Sequence, residues 1–140
     1  MSSQPGKITR ILSTVARLLL GLSLVVFGLN LFFNFIPQPE VVMPEKAINF
    51  VGALVGSGYM MPLIGTTQLF VGVCLLANRF VPLALVVFFP FMVNSVAFHV
   101  FLERSGLPMA MVFLALNLYL AWVHRAAYRP LLTARAKPSA

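Results

Sequence analysis

Phe80–Leu102 reads FVPLALVVFFPFMVNSVAFHVFL and contains no Lys, Arg, Asp or Glu. At about 1.5 Å per residue, a helix of roughly 20 residues crosses a hydrocarbon core of about 30 Å. A helix satisfies its own backbone hydrogen bonds, as lipid requires, and the alternating pattern of a spanning strand is absent. Three more uncharged runs flank this one: Leu18–Ile36, Tyr59–Asn78 and Gly106–Val123. Pro62, Pro82 and Pro108 fall in the first turns of three of the four runs. A missing N–H does least harm there. The expected fold class is all-α: residues 1–140 form one domain, an integral membrane four-helix bundle.

Composition points the same way. The chain is 60% hydrophobic and 9% charged, with ten Lys and Arg against three acidic residues. Soluble domains carry about 25% charged residues. Too few charges remain to cover a water-facing surface, so lipid must cover it. Disorder is excluded by the same apolar content, a disulfide scaffold by the solitary Cys74, and a carboxylate-rich metal cage by the scarcity of acids. Lys7, Arg10 and Arg17 lead into the first run as they would into a signal peptide, but no small-residue cleavage site follows. The first run is therefore expected as a retained helix.

Four spans put both termini on one side. Lys7, Arg10, Arg17, Arg79, Arg125, Arg129, Arg135 and Lys137 then share that side, while Lys46, Arg104 and all three glutamates take the other. This asymmetry places both termini in the cytoplasm. It also assigns the net charge of +7 to topology and anionic headgroups rather than to nucleic acid, for which no motif is present. Tyr119, Trp122 and Tyr128 mark the inner interface, Tyr59 and Phe32 the outer one. The link at Asn78-Arg79 is short enough to make its flanking helices antiparallel neighbours. Within the longer link, Lys46–Val55 spaces Ala47, Phe50, Val51 and Leu54 as a helix would. That stretch is either an interfacial helix over the outer mouth or a plain connector with an apolar face. Thr133–Ala140 reads as a basic tail.

Polar residues inside apolar spans carry the functional information. Asn30 and Asn34 lie on the first run, Thr66, Thr67 and Gln68 on the second, Asn94, Ser95 and His99 on the third and Asn117 on the fourth. Counted inward from the outer helix ends, they fall between about 5 Å for His99 and about 16 Å for Asn117. The inner halves are nearly pure hydrocarbon. Gly21 with Gly28, Gly65 with Gly72, and Ala110 with Ala121 supply small residues at helical spacing, which permits close helix approach. The amides therefore have two readings: interhelical hydrogen bonds worth about 0.6–2 kcal/mol each, or the lining of a shared pocket. Pro90 deprives the Val86 carbonyl of its usual partner and is expected to kink the third helix beside Asn94 and Ser95. His99 suits a hydrogen bond to a carbonyl or quinone oxygen, or proton shuttling. His124 lies at the opposite face, so the two histidines cannot share a metal ion, and none is expected. Cys74 is expected to serve packing. No phosphate loop, Ser/His/Asp set or membrane-embedded carboxylate is present.

Several stretches are similar to the DoxX-like family of small bacterial membrane proteins. They include Val26-Phe27-Gly28-Leu29-Asn30, Phe32-Phe33-Asn34-Phe35-Ile36-Pro37, Ser57-Gly58-Tyr59 and Pro62-Leu63-Ile64-Gly65. Asn78-Arg79-Phe80-Val81-Pro82 follows, then Phe98-His99 through Glu103, Ser105-Gly106-Leu107-Pro108 and Leu118-Tyr119-Leu120-Ala121-Trp122. The matches run from about Arg17 to Leu132. The resemblance implies a bacterial inner-membrane protein, and for some relatives a link to thiosulfate–quinone oxidoreductase or thiol-redox complexes. The family often has Glu where Gln68 and Asn117 stand here, which implies ligand binding rather than proton transfer.

Together these readings lead to an accessory, redox-linked membrane subunit with an outward-facing polar pocket. Asn30, Gln68, Asn94, His99 and Asn117 are its expected lining, and quinone is the first candidate ligand. Electron transfer would require a partner subunit, since no redox centre is evident in the chain. The alternative is a membrane scaffold or assembly partner whose amides only join helices.

Overall fold

The computed structural model of the chain describes residues 6–37 and 42–135. Five α-helices and a terminal 3-10 helix account for most of them, and no strand occurs among the described residues. Helix α1 covers Lys7–Phe33, α2 Glu45–Gly56, α3 Met60–Leu76, α4 Val81–Phe101 and α5 Leu107–Val123. The 3-10 helix covers Arg125–Leu132.

Helix α1 begins at Lys7 rather than Leu18. The uncharged run measures what lipid can hold, whereas Lys and Arg are good helix formers that extend a helix past it. It ends at Phe33, short of Ile36, because Asn34 turns left-handed at φ 47°, ψ 49° and gives its N–H to the Asn30 carbonyl at 2.8 Å. The other three runs form helices within a residue or two of their expected limits. Lys46–Val55 is helical, as α2, and its Phe50 ring lies 5.6 Å from that of Phe98 on α4. Gly58, at φ 76°, makes the turn that bends α2 by 86° from α3. At the opposite end, Asn78 (φ 53°) and Phe80 (φ 56°) both adopt left-handed backbone, which reverses the chain between α3 and α4 within four residues. Helix α4 passes through Pro90 as one element. The Pro37–Val41 part of the long link and the Lys137 end of the basic tail lie largely outside the described residues.

Helices α1 and α4 each pack against both α3 and α5. The core they enclose contains Leu20, Leu24, Leu75, Phe88, Met92 and Leu120, all at most 2% exposed. The α1–α3 contact is the most extensive, and its glycines explain why. A Cβ on Gly72 would lie 2.9 Å from the Gly21 carbonyl oxygen, and one on Gly28 would lie 3.1 Å from that of Gly65. The four glycines thus form two facing pairs in antiparallel register, so the two backbones touch directly. Arg17 locks the same contact by giving Nη1 hydrogen bonds to the Leu75 and Leu76 carbonyls at the end of α3.

The outer surface is the reverse of a soluble protein's. Leu19, Leu22, Leu63, Val73, Leu83 and Val93 are all more than half exposed. Apolar surface so continuous suits lipid rather than water. Helices α1 and α4 are each long and apolar enough to cross a membrane. Helices α3 and α5 reach that length only when counted with α2 and the 3-10 helix, from which they bend by 86° and 78°. Two to four spans are therefore available.

Candidate functional site: a cavity around Gln68

The five expected lining residues separate into different surroundings. Asn30 is half-buried at the end of α1, where its side-chain oxygen accepts the Ile36 N–H at 2.7 Å. It fastens the chain as it leaves the helix. Asn117 is 1% exposed on α5, and its amide nitrogen points to the Leu85 carbonyl of α4 at 3.5 Å. It borders a groove of about 380 Å³ between α4 and α5, with Pro90 and Tyr128 among its walls. The Tyr128 hydroxyl closes one end by donating to the Pro82 carbonyl at 3.0 Å.

Gln68, Asn94 and His99 belong to two further cavities that share a wall. One, of about 260 Å³, lies between α1, α3, α4 and α5. Among the described residues its polar side chains are Gln68, Ser95 and His99, set among Phe27, Phe88, Phe91, Phe113 and four other apolar side chains. The second, of about 210 Å³, lies under α2 and is bordered by Phe50, Leu54, Asn94 and Phe98. Gln68, Phe91 and Ser95 border both. Gln68 is buried on the α3 face between Gly65 and Gly72, and its Oε1 has no hydrogen-bond partner. An unpaired buried amide oxygen costs about 1–3 kcal/mol. Asn94 is exposed at the edge of the α2 cavity. These three cavities do not bring all five residues together: Asn117 borders the groove between α4 and α5, and Asn30 borders none of the three.

Glu103 was not among the expected site residues, yet it holds the end of the cavity in place. Although it follows α4 in a short link, it is 8% exposed. Its carboxylate accepts the Ser105 N–H at 2.6 Å and the Gly106 N–H at 3.2 Å, which fixes the turn that leads into α5. The Ser105 hydrogen bonds, from side chain and then backbone, lower the Glu103 pKa to about 2, with Gly106 and His99 adding to the effect against the opposing pull of burial. His99 Nδ1 lies 2.9 Å from the Glu103 carbonyl oxygen and 3.1 Å from its carboxylate. Gly106 packs on the imidazole so closely that a Cβ there would overlap the ring, lying 2.7 Å from Nδ1. The spacing of His99 and Glu103, one helical turn apart and just before Ser105-Gly106-Leu107-Pro108, is the signal that could have exposed this arrangement.

The remaining polar groups serve other ends. His124 Nδ1 meets the Leu120 carbonyl at 2.8 Å, at the far end of α5 from His99. Cys74 is a free thiol buried in the core cluster. Thr67 returns its hydroxyl to the Leu63 carbonyl at 2.9 Å on its own helix.

Comparison with protein-family models, with curated proteins and with solved structures gives no match to this chain.

Proposed function

We propose that the chain is a DoxX-like protein of the bacterial inner membrane, a four-helix bundle spanning four times with both termini cytoplasmic. In this reading it acts as an accessory, redox-linked subunit that binds a lipophilic ligand, with quinone the first candidate, in the paired cavities on either side of Gln68. The observation that carries the reading is the unpartnered Gln68 oxygen in the wall common to both cavities. A fold that only needed to join helices would gain by pairing that oxygen or replacing it with hydrocarbon. An amide can also turn end for end, offering either its oxygen or its N–H groups to a guest. The aromatic cavity suits a flat ring, and the cavity beneath α2 suits an apolar tail that enters from the outer side.

The scaffold reading keeps Asn30 and Asn117, whose side chains are already committed to their own chain and to α4. Gln68 decides between the two. The full chain, purified in mild detergent, should bring a stoichiometric quinone or related lipophile detectable by mass spectrometry. Gln68→Leu should lose it while its thermal midpoint stays level or rises, since about 1–3 kcal/mol of unpaired-amide penalty is removed. Absence of any lipophile from the wild type, together with a lowered midpoint in the variant, would establish the scaffold instead.

A further inference from the structure

We infer that the cavity between the four helices selects a ligand carrying an aromatic hydroxyl over one that offers only carbonyl or ether oxygens. The inference rests on the ligand-binding reading above and narrows it: of a quinone's two redox forms, the cavity would hold the hydroxyl-bearing quinol in preference to the quinone.

The argument turns on His99. A backbone carbonyl can only accept a hydrogen bond, and the Glu103 carbonyl lies 2.9 Å from His99 Nδ1. The neutral ring therefore carries its proton on Nδ1, and the adjacent Glu103 carboxylate at 3.1 Å favours the same tautomer. Nε2 is left with a lone pair, no proton, and no hydrogen-bond partner among the described residues. A carbonyl or ether oxygen brought to Nε2 meets lone pair with lone pair, whereas a hydroxyl donates to it.

The other polar groups of the cavity do not discriminate. The Gln68 amide adapts by turning, and the Ser95 hydroxyl both donates and accepts. Selection falls to the imidazole, whose tautomer is held from outside the cavity by Glu103 and whose position is held by Gly106. The walls define the rest of the ligand. Phe27 and Phe113 meet edge to face at 6.1 Å, and Phe88 and Phe91 stack at 5.4 Å, so ring faces and edges surround about 260 Å³. Such walls favour an aromatic guest over an aliphatic alcohol.

The test compares trimethylphenol, its methyl ether and trimethylbenzoquinone by calorimetric titration into the detergent-solubilised full chain at mildly alkaline pH, against empty micelles. The phenol should bind about ten- to a hundredfold more tightly than either of the others, the range set by one buried hydrogen bond made or left unmade. His99→Phe should bring the three affinities together, and Gly106→Ala, which displaces the ring without removing it, should narrow the gap. Equal or tighter binding of the quinone or the ether to the wild type would overturn the selectivity and leave the ligand-binding reading standing. A preference that survives in both variants would also overturn it. If none of the three binds beyond the micelle background, the cavity reading itself falls, and this inference with it.

Discussion

Glu103 shows how much one side chain can organise. It belongs to the short link after α4, yet its two carboxylate oxygens receive the Ser105 and Gly106 N–H groups just before α5 and the imidazole near the end of α4. The consequence for pH follows from the sign of its shift. The Glu103 pKa falls from the ordinary 4.5 to about 2 on folding, so the unfolded chain binds the extra proton first. Its stabilisation is therefore complete above about pH 4.5 and is lost as pH falls towards 2. Thermal midpoints of the detergent-solubilised protein should drop across that window in the wild type. Glu103→Gln should start from a lower midpoint at neutral pH and lack this part of the acid dependence. Both the His99–Glu103 spacing and the Glu-x-Ser-Gly lead into α5 are visible in the sequence. Their joint role is not, because Glu103 counts by position as a loop acid, and only the backbone turn brings its carboxylate under His99.

At the scale of the elements, the contact between α1 and α3 is the most exacting. Gly21 faces Gly72 and Gly28 faces Gly65, and the fit against backbone is tightest at Gly72, where a Cβ would lie 2.8 Å from Val25 and 2.9 Å from the Gly21 carbonyl oxygen. Gly72→Leu should cost about 1–3 kcal/mol or more, because the new side chain meets the Gly21 carbonyl and Val25 rather than open space. Gly52 on α2 is the control: nothing lies within 4 Å of a Cβ there. Gly52→Ala should leave the midpoint unchanged or raise it by up to about 1 kcal/mol through helix propensity. Differential scanning of the two variants side by side separates packing from propensity. The sequence shows that α1, α3 and α5 each have a stripe of small residues. It cannot show which stripes face each other, since Ala110 and Ala121 on α5 form a similar stripe.

For the whole molecule, the proposed topology makes a direct prediction. If the chain spans four times, Ser105 and Asn78 lie on opposite faces of the membrane, with Asn78 on the side of both termini. In a Cys74→Ala background, Ser105→Cys in intact cells should react with an impermeant maleimide, and Asn78→Cys should react only after the membrane is opened. Equal reactivity of the two positions would show that α4 does not cross. Ser57→Cys against Asn78→Cys tests α3 in the same way, and Ser105→Cys against Thr133→Cys tests α5, each of which reaches a span's length only when joined to the bent segment beside it.

The chain's helical class and its apolar exterior follow from composition and from the length of its uncharged runs, because hydrogen bonding within a helix and transfer into lipid are local properties of a segment. The positions of the polar residues along those helices follow in the same way. Which polar residues remain available to a ligand was decided only by tertiary structure. Asn30, Gln68 and Asn117 look alike as amides in apolar helices, but Asn30 finds the Ile36 N–H, Asn117 finds the Leu85 carbonyl, and the Gln68 oxygen finds nothing. The difference lies in how the helices are rotated about their axes and what each face meets. Hydrophobic periodicity constrains that rotation only to within a broad stripe, whereas a hydrogen bond requires a partner in direct contact and in line.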